Sequence, residues 1–293
     1  MPETPGGTIA AALGAATRAL ASAGSADPRR EALRLGAIVA GVTPGELWLD
    51  RERSLDPALD ERWARAVAAR AGGAPVAYAT GRVSFRTLDL ACDPRALIPR
   101  SETEGLIDRV LDGTGDGGRG RGGIAADLGT GTGCLALALA VEGDFDLVVA
   151  VDRDAAAAAL ARENVARVSP PTPVEVRAGD WLGPLGDARY RVILANPPYL
   201  TLDEWDALDP GVRDWEPRAA LASGSDGLDA TRTILAGAAR RLAPRGVLAL
   251  EIDERRADAV RELAGALGWR RVAIHDDLFG RPRYAVASME THP

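Results

Sequence analysis

Asn196-Pro-Pro-Tyr199 is the run of this chain best suited to chemistry. Two consecutive prolines fix the backbone and remove two N–H donors, which leaves the local carbonyls as uncommitted acceptors. Asn196 adds a side-chain oxygen acceptor and Tyr199 a flat ring face. A planar nitrogen conjugated to a ring or a carbonyl is a weak nucleophile, because its lone pair is delocalised. Acceptors that grip its hydrogens aim the lone pair and stabilise the positive charge that develops on nitrogen. An aromatic face holds such a flat group in line. The run points to substitution on an amide or amino nitrogen. It makes Asn196, Pro197 and Tyr199 candidate catalytic residues, and Asn196, Pro197, Pro198 and Tyr199 candidate substrate contacts. Taken without its surroundings, the same run also reads as a Pro-rich turn with Asn as a helix cap.

A second cluster lies upstream, in Asp127-Leu-Gly129-Thr-Gly131-Thr-Gly133. A glycine-rich turn between a strand and a helix lets the backbone approach a ligand closely. Dinucleotide sites use Gly-x-Gly-x-x-Gly and set a pyrophosphate on the helix N-terminus. Here single residues separate the glycines and an acidic residue precedes them. Asp127 would repel pyrophosphate and suits an ammonium group, as in the amino-acid end of S-adenosylmethionine. Asp152, 23 residues after Gly129, stands where an acidic side chain accepts from ribose hydroxyls. Asp180 could accept from an adenine amino group, and Trp181 could stack on the ring. Each of these, taken alone, reads equally as a turn aspartate or a core aromatic; three at successive strand ends favour a ligand. The candidate cofactor contacts are Asp127, Gly129, Thr130, Gly131, Thr132, Gly133, Asp152, Asp180, Trp181 and Asn196.

The elements that must position these residues alternate from residue 124 onward. Apolar runs predict strands at 124–128, 147–151, 174–178, 192–195, 247–252, 271–274 and 284–288. Helical spacing predicts helices at 134–141, 155–167, 228–242 and 257–267. Short apolar strands separated by amphipathic helices indicate an α/β fold, a seven-stranded, mostly parallel Rossmann-like sheet covered on both faces. Ligands in such sheets bind at the carboxyl ends of the strands. Residues 8–72 carry helical periodicity throughout, with Pro28, Pro44 and Pro57 near helix starts. A hairpin is predicted at 83–85 and 88–91, and Ser101-Glu-Thr-Glu104 reads as a capping box opening a helix over 105–111. Residues 112–123 are Gly-rich and read as a flexible surface loop. The expected domains are a helical one over 1–80, a hairpin, helix and linker over 81–123, and a cofactor-binding one over 124–293.

Composition limits the partners. Net charge is −7 and every basic residue is Arg, with no Lys. Nucleic-acid binding usually carries a basic footprint, so a nucleic-acid substrate is disfavoured. Cys92, Cys134, His275 and His292 match no four-ligand zinc spacing, and no metal is expected. Two cysteines in 293 residues suggest a reducing compartment, and no signal peptide or membrane span is evident, so a cytoplasmic monomer is expected.

These motifs together resemble the release-factor glutamine methyltransferase family, over nearly the whole chain. The resemblance runs through Arg70-Ala-Gly-Gly-Ala-Pro75-Val-Ala-Tyr78-Ala-Thr-Gly81, Leu97-Ile-Pro-Arg100-Ser-Glu-Thr-Glu104 and the glycine-rich turn. It continues in Gly179-Asp180-Trp181, Asn196-Pro-Pro-Tyr199, Glu216-Pro217-Arg218, Leu250-Glu251-Ile252 and Asp277-Leu-Phe-Gly280-Arg-Pro-Arg283. It implies methyl transfer from S-adenosylmethionine to the side-chain amide nitrogen of the Gln in the Gly-Gly-Gln loop of class I release factors. Family cofactor contacts fall on Gly129 to Gly133, Asp152 and Trp181, substrate contacts on Asn196 to Tyr199, and the helical N-terminal domain would help dock the protein substrate. The chain departs from the family pattern at Ser101, where Pro is common, and at Asp253-Glu-Arg-Arg256, where Gly and then Gln usually follow. Competing readings are the same chemistry on a ribosomal-protein glutamine or an adenine or guanine amino group, and a cofactor-binding protein that has lost transfer. An intact Asn196-Pro-Pro-Tyr199 argues against the last.

Overall fold

The structure, a computed structural model, describes residues 7–113 and 122–289. The chain divides into two compact units, Met1–Arg82 with Pro210–Trp215, and Val83–Asp209 with Glu216–Pro293. The first contains α1 (Ile9–Ser22), α2 (Pro28–Ala40), α3 (Pro44–Leu49), α4 (Pro57–Ala71) and α5 (Val76–Thr80). Three of these open on a side-chain cap followed by proline at the first turn: Asp27 with Pro28, Thr43 with Pro44, and Asp56 with Pro57. The caps accept the orphan N–H groups of the second or third helical residue, and proline at the first position has no N–H to leave unpaired. Leu13, Leu20, Leu35 and Trp63 close the unit's own core.

The second unit begins with the hairpin β1 (Arg82–Phe85) and β2 (Leu88–Ala91), then α6 (Ser101–Gly113) and β3 (Ile124–Leu128). It continues through α7 (Cys134–Glu142), β4 (Leu147–Asp152), α8 (Ala155–Val168), β5 (Val174–Ala178), β6 (Tyr190–Ala195) and α9 (Leu202–Asp206). The short α10 (Pro210–Arg213) clusters with the first unit. Next come α11 (Asp229–Ala238), β7 (Leu242–Glu251), α12 (Ala257–Ala266), β8 (Arg271–Asp276) and β9 (Pro282–Ser288). The seven-stranded sheet has the order β5-β4-β3-β6-β7-β9-β8. It is parallel except for β9, which runs against both β7 and β8.

Alternate strand residues serve opposite faces, as the pleat requires. Ala125, Val148, Val192 and Val247 face a core closed by α6 and α7, while Ala126, Val149, Ile193 and Leu248 face one closed by α11 and α12. Burial on both faces is why the strands read as unbroken apolar runs. The order reverses between β3 and β6, which are direct neighbours. Their carboxyl ends mark the switch point at which such sheets bind ligands.

The structure corrects two local expectations. Ser101-Glu-Thr-Glu104 is not a capping box. The helix already includes Ser101, whose hydroxyl donates to Glu102, and the Glu104 carboxylate accepts the backbone N–H of Arg86 at 2.9 Å. A partner from the hairpin has taken the carboxylate that local spacing assigns to the cap. The helix expected over 228–242 ends at Ala238 in a short turn, and β7 starts at Leu242 instead of 247. The pairing with β6 jumps from Tyr190–Leu242 to Val192–Val247, so residues 243–246, with Arg245 at φ 60°, form an irregularity inside the strand. The Gly-rich loop expected over 112–123 lies mostly outside the described residues. Among the described residues, no helix is long and apolar enough to cross a membrane.

Candidate active site

The turn after β3 gathers three glycines with positive φ: Gly129 at 72°, Gly131 at 55° and Gly133 at 83°. This left-handed backbone suits glycine and lets the chain reverse directly into α7. Asp127 fastens the turn from beneath. It is fully buried, and its Oδ2 accepts from the Thr130 hydroxyl at 2.6 Å and from the Ala136 N–H at 3.1 Å. Its Oδ1 has no partner among the described residues. Burial pushes its carboxyl up to about 7. A second carboxylate holds the turn from β4. Asp152 Oδ2 accepts the Gly131 N–H and Oδ1 the Asp154 N–H, both at 2.9 Å. Each oxygen retains acceptor capacity. Burial raises the Asp152 carboxyl as well.

Trp181 follows β5 with φ 42°, a conformation rare for a bulky residue and typical of strained positions at working sites. Its ring packs beside Gly129, where an added Cβ would lie 3.3 Å from Cζ3. Asn196 directly follows β6, half-buried, and its Nδ2 donates to the Thr103 hydroxyl of α6 at 3.1 Å. Nδ2 is thereby engaged, and Oδ1 is the amide atom left to accept. The loop beyond is pinned by the Tyr199 and Leu200 N–H groups, both donating to the Leu221 carbonyl, and by Ser223 N–H on the Leu200 carbonyl.

A cavity of about 410 Å³ joins these parts, within the range of about 300–1,000 Å³ usual for small-molecule sites. Of the residues the sequence singles out, Gly129, Thr130, Gly131, Asp152, Asp180, Trp181, Asn196 and Pro198 line it. Asp127, Thr132, Gly133, Pro197 and Tyr199 do not line it. Asp127 and Thr132 are buried, and burial holds the Tyr199 phenol up at about 12. Sequence reasoning leaves the roles of Arg100 and Glu216 open and misses the rest of the wall from Arg95. Glu216, with its side chain 1% exposed, accepts from Arg100 at 2.5 Å and from the Ile98 N–H at 3.1 Å, tying that wall down. It also missed Thr103, the partner of Asn196. Both sit inside recognisable motif runs, and that is the one sequence signal that marks them. Asp253, at the departure from the family pattern, caps a turn and pairs with Arg255 and Arg256. Cys134 lines the cavity, but burial pushes its thiol up to about 12, away from nucleophilic use.

The raised Asp127 carboxyl has a measurable consequence. The unfolded chain ionises this group near its ordinary value of 3.8, the folded chain near 7, so the folded state is favoured below the lower value and loses that advantage as pH rises through the upper one. An Asp127→Asn variant keeps an oxygen for Thr130 and Ala136 and removes the titration. Its melting temperature in cofactor-free buffer should gain on the wild type between about pH 5 and pH 8. A constant difference across that range would show that Asp127 does not titrate there.

The donor set fits S-adenosylmethionine: a glycine turn for close approach, a carboxylate with spare acceptors for a diol, and an indole in the cavity wall on which an adenine can stack. Fold and site define an S-adenosylmethionine-dependent methyltransferase. The family described as Methyltransferase small domain matches residues 116–207, and the PrmC N-terminal domain matches residues 11–81. The chain is 39% identical to a release factor glutamine methyltransferase of Moorella thermoacetica, over 96% of this chain and 98% of that protein. It is 40% identical to one from Cereibacter sphaeroides, over 95% and 97%. This chain belongs to the release factor glutamine methyltransferase family. Among solved structures, a methyltransferase from Pyrococcus furiosus shares the fold with TM-score 0.52 at 20% identity, covering 78% of this chain and 96% of that one.

Proposed function

We propose that this chain methylates the side-chain amide nitrogen of a glutamine in a peptide-chain release factor, the Gln of the Gly-Gly-Gln loop in class I factors. The observation that carries this reading is Asn196, whose Nδ2 is committed to Thr103 and whose Oδ1 is left to accept at the cavity. S-adenosylmethionine, when bound, would supply an electrophilic methyl group and leave as S-adenosylhomocysteine, while the methylated amide nitrogen would lose one of its two hydrogens as a proton to solvent. The turn from Gly129 to Gly133, with Asp152, Asp180 and Trp181, would hold it. Asn196 Oδ1, which faces the cavity, would accept an amide hydrogen. That fixes the rotation of the amide and stabilises positive charge on its nitrogen. The adjoining prolines offer no N–H to compete for that acceptor. The Tyr199 phenol, held up at about 12, stays protonated at neutral pH and does not act as a base.

The helical unit, matched by the PrmC N-terminal domain, would dock the protein substrate. A net charge of −7 favours a protein acceptor over a polyanion. In this reading the enzyme works in the cytoplasm as a monomer. The test is label partition. With methyl-tritiated S-adenosylmethionine, counts should enter a purified release factor and not ribosomal protein or RNA offered in the same tube. Counts confined to RNA or ribosomal protein would overturn the assignment.

A further inference from the structure

We propose that Arg256 is a positioning residue for methyl transfer, holding the loop that carries Asn196-Pro-Pro-Tyr199 from outside the cavity. This rests on the reading of that loop as the wall that meets the acceptor amide. Arg256 closes the run Asp253-Glu-Arg-Arg256, where the chain departs from the family pattern. It ends the short turn after β7, is buried, and does not line the cavity.

Its guanidinium joins three segments. Nε donates to the Asp226 carbonyl at 2.9 Å, Nη2 donates to Glu204 Oε2 at 2.6 Å, and Nη1 stands 3.3 Å from Asp253 Oδ1. Glu204 Oε2 also accepts the Thr201 N–H at 2.8 Å. The oxygen that Arg256 grips therefore caps α9, the helix into which the Asn196-Pro-Pro-Tyr199 loop runs. On its other side Arg256 holds the turn at Asp226, which follows Ala222, Ser223 and Gly224 of the cavity wall. These two segments are already paired. The Leu221 carbonyl accepts from the Tyr199 and Leu200 N–H groups, and the Ser223 N–H donates to the Leu200 carbonyl. Arg256 ties the pair together at its outer end. There is no slack at that point, since a Cβ added to Gly227 would collide with both the Tyr199 carbonyl oxygen and Arg256 Nε.

Arg255 plays a different part. It pairs with Glu204 at 2.8 Å and with Asp253 at 2.9 Å, but its side chain is 57% exposed, where an ion pair adds little. Its presence means that removing the Arg256 head strands neither carboxylate. Arg256→Met keeps the apolar stem and should fold. It loses the bond to the Asp226 carbonyl and the buried grip on Glu204, so the loop gains room to shift. A misplacement of about 1 Å caused far from the chemistry can cost about a hundredfold in rate.

Two readouts test this. Hydrogen exchange in cofactor-free protein reports the loop directly. In Arg256→Met the amides of Tyr199, Leu200 and Thr201 should exchange about tenfold faster or more, while those of Gly131 and Ala136, bonded to Asp152 and Asp127, keep their wild-type rates. In methyl transfer to a release factor, Arg256→Met should lower kcat by about tenfold to a hundredfold, with S-adenosylmethionine Kd within about twofold of the wild type. Arg256→Lys should recover part of both effects, since an ammonium can pair with Glu204 but lacks the fork that also reaches Asp226. A role in general stability would instead loosen both walls and weaken cofactor binding in step with transfer. Unchanged exchange at residues 199–201, an equal rise in the glycine turn, or wild-type kcat in the folded variant overturns the proposal. Should Arg256→Met not fold, Glu204→Gln keeps an oxygen for the Thr201 N–H, weakens the tie to Arg256, and should give the same pattern at smaller amplitude; its absence there overturns the proposal equally. A wild type that transfers no methyl to a release factor would overturn the substrate reading instead, and hydrogen exchange would still judge the role of Arg256.

Discussion

Asn196→Ala should lower methyl transfer by about two to three orders of magnitude while the protein still folds and still binds S-adenosylmethionine. Asn196 makes its side-chain hydrogen bond to Thr103 and stands half-buried at the cavity, so truncation opens no large void. The melting temperature should therefore hardly move. What disappears is the acceptor that orients the amide nitrogen and stabilises its developing charge. Losing one such preorganised group typically costs about 10²–10³ in kcat. The check is single-turnover transfer at saturating cofactor, with calorimetric binding in parallel. Wild-type turnover in the variant, or a loss fully explained by weaker cofactor binding, would remove Asn196 from the chemistry.

Gly129→Val should weaken cofactor binding by about a hundredfold. Gly129 holds φ 72°, which a β-branched residue can adopt only with strain. The added Cβ would lie 3.3 Å from the Trp181 ring, and its two methyl groups would press further into it. Trp181 cannot yield freely, because its own backbone is already left-handed at φ 42°. Ring and turn both line the cavity, so their displacement is felt there directly. Isothermal titration with S-adenosylmethionine reads the effect. Gly133 offers a contrast, since an added Cβ there meets Ala161 and Leu137, and Gly133 does not line the cavity. Wild-type affinity in Gly129→Val would mean that the turn does not shape the site.

Much of this arrangement is legible in the sequence because it is local. Prolines 28, 44 and 57 sit one step after a capping side chain, and such spacing is readable along the chain. Apolar runs mark strands buried on both faces. Alternating glycines after one such run and a double proline after another mark the two strand ends that the sheet makes neighbours. What is hidden depends on partners distant in sequence. Glu104 has the spacing of a capping carboxylate, yet Arg86, 18 residues away, takes it. Arg100 and Glu216 are 116 residues apart, and Thr103 and Asn196 are 93 apart. No periodicity reports such pairs. Asp127 shows a subtler failure. Its acidic chemistry suggests a ligand contact, but burial beneath the turn makes it a tether for Thr130 and Ala136. Residue type alone does not tell which side of a loop a side chain occupies.

The most direct test of the central claim is where the methyl group lands. A release factor from the same organism would be incubated with this protein and S-adenosylmethionine, digested, and sequenced by tandem mass spectrometry beside an Asn196→Ala control. One added methyl on the Gln side chain of the Gly-Gly-Gln peptide, absent from the control, is the expected result. A methyl on any other residue, or none from a folded protein that binds the cofactor, would contradict it.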